Sequence, residues 1–151
     1  MIDYINQLRV LIDILIAGIL GGIIGFERES KNKPAGLRTN MVIAAASALL
    51  FSLGNYMVDA IDLNLSDNAL SVDPTRILHA IIVGVSFIGA GTILKSSQNH
   101  TVKYLTTSAM ILFSAGIGIS VALHLYLLAL GLAIIGLIIN VLVSKVFNHF
   151  N

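Results

Sequence analysis

The sequence predicts an all-α membrane protein of five transmembrane helices, with its N-terminus outside and its C-terminus in the cytoplasm. Three observations lead there. Hydrophobic residues make up 56% of the 151-residue chain and charged residues only 11%, where a soluble domain carries about 25% charged residues. Mean hydropathy is +0.90. The apolar residues gather into five stretches, and the basic residues fall in alternate loops between them. A surface so poor in charge needs an apolar solvent, so membrane lipid is the first implied partner. The length leaves room for a single transmembrane domain, 1–151.

A helix needs roughly 20 mainly apolar residues to cross the hydrocarbon core. The stretches 8–26, 40–58, 77–94, 105–122 and 125–147 meet or approach that length. A signal peptide is the competing reading of the first, but Asp3 and Arg9 cancel and no small-residue cleavage site follows. A retained anchor fits better. The last two stretches lie close enough to form one long helix. The run Gly116, Gly118, Ser120, followed by His124, favours a turn between them.

Lys and Arg counts in the loops orient the chain. The first loop carries Arg28, Lys31, Lys33 and Arg38, and the third carries Lys95 and Lys103. The second carries Asp59, Asp62, Asp67 and Asp73, with no basic residue before Arg76. Loops one and three therefore face the cytoplasm.

Inside the spans, Gly18, Gly21, Gly22 and Gly25 fall within roughly 100° on a helical wheel. Such a stripe lets two backbones approach closely, either within the chain or across a homodimer seam. Small residues recur at Ala80/Gly84, Ser114/Gly118 and Ala129/Ala133. Asp13 is the one acid well inside an apolar span, which makes it a functional candidate; a helix-end ion pair with Arg9 is the plainer alternative. The four histidines lack ligand-like spacing and there are no cysteines, so no metal site is expected. The acidic loop does not match a calcium-loop pattern. Asp73-Pro74 reads as a helix N-cap followed by proline at the first helical position. No serine and histidine are placed as nucleophile and base, so an enzyme is not expected. No cofactor is implied, and the near-zero net charge gives no reason to expect nucleic acid as a partner.

Several segments carry a resemblance. They are Gly25-Phe-Glu27-Arg28-Glu29, Pro34-Ala-Gly-Leu-Arg38-Thr39, Asp73-Pro-Thr-Arg76-Ile, Gly84-Val-Ser-Phe87-Ile-Gly89-Ala90-Gly91-Thr92 and Leu105-Thr106-Thr107. In this order and spacing the chain resembles the MgtC/SapB family of bacterial inner-membrane proteins. The resemblance implies a multi-pass protein of the bacterial inner membrane, associated with growth under magnesium limitation and, in pathogens, with virulence and survival inside host cells. Some members are labelled magnesium transport proteins, and others are understood as modulators of membrane partners. The chain departs from the family at Asn40, where His is usual, and at Ala80, Ser86 and Leu112. Many members continue into a soluble C-terminal domain; with the sequence ending at Asn151, the resemblance implies a short, membrane-only member.

Two functions compete. A regulatory module, dimeric and binding other membrane proteins, fits the glycine seams and the small, loop-poor body. A transporter of magnesium or another ion or solute calls for ionisable residues through the bilayer midplane, and few are present. The orientation gathers Glu27, Arg28, Glu29, Arg38, Thr39, Thr92, Thr106 and Thr107 at the cytoplasmic side, with Gly89 and Gly91 expected as helix-packing residues beside them. The expected cluster pairs Glu27 or Glu29 with Arg38. Asp73 and Arg76 form a separate outer-face pair.

Overall fold

The computed structural model describes residues 4–62, 75–95 and 102–149. It contains five helices: α1 (Tyr4–Ser30), α2 (Leu37–Asp62), α3 (Thr75–Thr92), α4 (Leu105–Ala122) and α5 (Tyr126–His149). The first four are long and apolar enough to cross a membrane, and α5 supplies a shorter apolar stretch, Tyr126–Leu142. α1 and α2 run three or four residues past their predicted spans at each end, α3 begins and ends two residues early, α4 matches its span, and α5 begins one residue late and ends two residues late. Two-residue strands, β1 (Leu94–Lys95) and β2 (Val102–Lys103), pair antiparallel in what the hydropathy pattern leaves as a polar loop. Asp73 and Pro74 lie outside the described residues.

The helices α1 and α2 share the most extensive contact, and α4 packs against each of the other four helices. Small residues make this closeness achievable. A Cβ built on Gly21 would lie 2.6 Å from the Asn40 carbonyl oxygen, and one on Gly25 would lie 2.7 Å from that of Gly36. A Cβ on Gly118 would collide with the Ala44 carbonyl, so α2 and α4 meet backbone to backbone. Gly18 and Gly22 face the same seam against Ala45 and Met41, so the stripe on α1 packs inside the chain. Gly89 abuts Ser108, joining α3 to α4. Gly84 and Gly91, read from sequence as packing residues, have open space beside them. The core that results is mostly Ala and Ile, including Ala17, Ala44, Ala48, Ile117, Ala129 and Ala133, all fully buried.

Two helix ends close by the same device. In α1, Lys33 N–H donates to the Arg28 carbonyl and Asn32 N–H to that of Glu29, with Asn32 left-handed at φ 52°. In α4, Leu125 N–H donates to the Ser120 carbonyl and His124 N–H to that of Val121, with His124 at φ 59°. Both are Schellman closures, in which a left-handed residue just past the helix satisfies two terminal carbonyls. The break before α5 therefore comes from His124, a residue type enriched in left-handed conformation. Gly116 and Gly118, read as breakers, lie inside α4.

Candidate functional site

The loop between α1 and α2 folds back on a buried arginine. Arg28 is only 1% exposed. Its Nε and Nη2 donate to the Pro34 carbonyl, each at 3.2 Å, and Nη2 also donates to Thr107 Oγ1 at 2.6 Å. One planar guanidinium thus fixes the loop and joins α1 to the first turn of α4, which a lysine's single ammonium cannot copy. The loop is strained: Ala35 sits at φ 53°, where a Cβ costs about 1–2 kcal/mol. It is held from both sides, because Asn40 Nδ2 donates to the carbonyls of Ala35 at 2.5 Å and Gly36 at 2.9 Å. Asn40 Oδ1 accepts from Ser114 Oγ at 2.8 Å, so this fully buried amide joins loop, α2 and α4.

The neighbouring glutamates do different work. Glu29 Oε2 accepts the Leu37 N–H at 2.7 Å, supplying an acceptor and a negative charge to the N-terminus of α2. Gly36 gives it room, since a Cβ there would lie 2.8 Å from that oxygen. Glu27 is buried and lies 2.5 Å from Lys31 Nζ through Oε1, an ion pair without hydrogen-bond alignment. Its Oε2 has no hydrogen-bond partner, and neither has Arg28 Nη1 or Asn140 Nδ2. Asn140 lies one turn beyond Gly136, which packs on Ile24, one turn before Arg28. Two unspent donors and one unspent acceptor are therefore buried at this end of the bundle.

The expected pairing of either glutamate with Arg38 is not the one formed. Arg38 is exposed, as is Thr39. The reason is helical phase: the side chain facing inward here belongs to Arg28. Among the predicted cluster, Arg28 and Thr107 touch; Thr92 hydrogen-bonds back to Gly89 within α3 at 2.7 Å, and Thr106 is exposed. Arg76 is exposed near the start of α3, with Asp73 outside the described residues.

A second polar centre lies at the other end of α1. Fifteen residues separate Asp13 from Arg28, about 22 Å at 1.5 Å per residue. Asp13 is buried; Oδ1 accepts from Tyr126 Oη at 2.8 Å, and Oδ2 lies 3.4 Å from His124 Nε2. Arg9 forms no ion pair with it. Sequence reasoning missed Asn40, Tyr126 and Asn140 as site residues and read His124 only as a turn. Among the described residues, no group of three or more His, Cys, Asp or Glu side chains is placed to hold a metal ion.

Residues 14–149 match the MgtC family. The chain is 37% identical over 139 residues to "Putative magnesium transporter YhiD" of Escherichia coli K12, covering 92% of this chain and 60% of that protein. It is 42% identical over 117 residues to protein SapB of Bacillus subtilis, covering 78% and 49%. Against protein MgtC of Salmonella typhimurium it is 34% identical over 142 residues, covering 93% and 55%. The chain thus spans about half to three fifths of the length of these relatives. No solved structure matches. With the family matched over nearly the whole chain, and with curated relatives above 30% identity, this chain belongs to the MgtC family.

Proposed function

We propose that this protein is a regulatory module of the bacterial inner membrane that binds other membrane proteins during growth at low magnesium. In this reading all five helices span the bilayer, with the N-terminus outside and the α1–α2 loop and C-terminus cytoplasmic. The observation that carries it is the closed middle of the bundle. Between the levels of Asp13 and Glu27, no ionisable side chain is buried among the described residues. The space there is filled by Ala17, Ala44, Ala48 and Ile117 and by backbone contacts at Gly21 and Gly118. An ion crossing such a segment would exchange its hydration for at most the Asn40 amide and the hydroxyls of Ser47 and Ser114, which leaves a desolvation cost of several kcal/mol even after relaxation. The half-satisfied Arg28 cluster, buried at one end of the bundle, then serves as a regulated junction, not as one station of a conduit.

Transport of magnesium is the second reading, favoured by the name of the E. coli relative. Magnesium flux into liposomes containing the purified protein separates the two. The regulatory reading expects flux no greater than in liposomes carrying an Arg28→Gln, Asp13→Asn variant. Saturable magnesium entry above that background overturns it. A complementation test in low magnesium runs beside it: Arg28→Gln should abolish growth support, while Arg38→Gln should leave it intact.

A further inference from the structure

Two polar stripes face each other across the Asp13 end of α1 and α2. Asn6, Arg9 and Asp13 lie on one side, at helical spacing along the first half of α1. Ser52, Asn55, Tyr56 and Asp59 lie opposite, again at helical spacing. Between them is a cleft of about 260 Å³, ending on His124 and the last turn of α4. A smaller cleft of about 230 Å³ shares the Arg9–Asp13–His124 wall and continues between α1 and α5 past Ile12 and Tyr126. Polar side chains are costly in membrane helices and mark function by default, yet the regulatory reading makes no use of this site.

The lining defines the ligand. Asp13 is buried, and each of its oxygens retains a lone pair beyond those facing Tyr126 and His124. Asp59 adds a second carboxylate and Arg9 a guanidinium, so both signs of charge line one small space. The fixed cation disfavours a bare metal ion, and the two acids disfavour a simple anion. A zwitterion with a primary ammonium group answers both. The surroundings narrow the source: Leu8, Ile12, Leu125 and Leu127, at this same end, are 59%, 47%, 48% and 86% exposed, an apolar flank suited to acyl chains.

We propose that the two clefts bind a phospholipid headgroup of the phosphoethanolamine type. The ammonium meets Asp13, the phosphate meets Arg9 one turn away, Asp59 at the mouth of the cleft repels simple anions, and the acyl chains lie along α1 and α5. This binding does not depend on the orientation of the chain or on the regulatory reading.

The test is a lipid titration of the purified full chain followed by native mass spectrometry. Phosphatidylethanolamine, phosphatidylcholine and phosphatidylglycerol with identical acyl chains are compared. The expected result is one phosphatidylethanolamine bound at least about tenfold more tightly than either other lipid, the factor lost with one charge-assisted hydrogen bond. Arg9→Gln, Asp59→Asn and Asp13→Asn should each erase most of that preference. Arg9 and Asp59 are exposed, so their variants report even where Asp13→Asn fails to fold. Equal binding of phosphatidylcholine would mean the ammonium donors are not recognised, and equal binding of phosphatidylglycerol would mean Arg9 merely collects anions; either overturns the proposal. Free O-phosphoethanolamine is the aqueous arm: binding as tight as that of the lipid assigns the cleft to a soluble zwitterion and overturns the lipid source.

Discussion

Replacing Thr107 by valine tests the Arg28 junction with almost no change in shape. The substitution removes one acceptor, Oγ1, at 2.6 Å from Nη2, and leaves the guanidinium where it is. A hydrogen bond to a charged group contributes about 1.5–3 kcal/mol, and a buried donor left without a partner adds its own desolvation cost. Arg28 is already short of acceptors at Nη1, so no spare oxygen absorbs the loss. Thr107→Val is therefore expected to cost about 2–4 kcal/mol. Arg28→Met removes all three donated bonds but also the desolvated charge, and should cost a similar amount for different reasons. The two changes share one bond. The double variant should cost less than the sum of the singles by about 1.5–3 kcal/mol. Equilibrium unfolding in mixed micelles, read by far-ultraviolet circular dichroism, measures all four corners of the cycle. Additivity within about 0.5 kcal/mol, the range for independent sites, would refute the junction.

Other outcomes follow from the same geometry. Gly118→Ala should prevent folding, because its Cβ meets the Ala44 backbone, while Gly84→Ala and Gly91→Ala, with open space beside them, should be neutral or gain about 0.5–1 kcal/mol from helix propensity; yields and melts of the three variants check this. Ala35→Gly should stabilise by about 1 kcal/mol by relieving a left-handed alanine, measured by the same unfolding assay. Tyr126→Phe should cost about 1–3 kcal/mol, since Asp13 loses a hydrogen bond while remaining buried; an unchanged melt would mean the carboxylate reaches water. In cells, Asn32→Cys should react with an impermeant maleimide only after permeabilisation and Asn64→Cys, in the acidic second loop, before it; the reverse pattern overturns the proposed orientation.

Much of the architecture was legible because a bilayer makes length and composition decisive. The spans of α1 to α4 follow from apolar runs alone, and the turn before α5 was placed near His124 where it occurs. The reasons behind some correct placements were not legible. Glycine in a soluble helix weakens it, so Gly116 and Gly118 read as breakers, although the Ser114/Gly118 spacing also reads as a close-approach pair. In a helix whose backbone groups find no other partner, glycine instead allows close approach, and Gly118 is where α2 and α4 touch. The same pattern at Gly84 carries no packing at all, since spacing specifies a face and not what covers it.

The site was less legible, and the reason is angular. Glu27, Arg28 and Glu29 are consecutive, so they point about 100° apart round the helix, and the sequence alone does not say which of them faces the bundle. Choosing Arg38 as the partner rested on charge complementarity along the chain. The fold satisfies the arginine that faces inward with what lies nearest, which is a strained loop carbonyl and a threonine hydroxyl. The two glutamates then take an N-terminus and a lysine. What the sequence did carry was Asn40, an amide at the edge of an apolar span. Burying it requires partners for its amide donors and its carbonyl oxygen, and the three it finds, Ala35, Gly36 and Ser114, tie together the elements around Arg28. A polar residue that an apolar span retains is a better guide to such a junction than the charges crowded in the loop beside it.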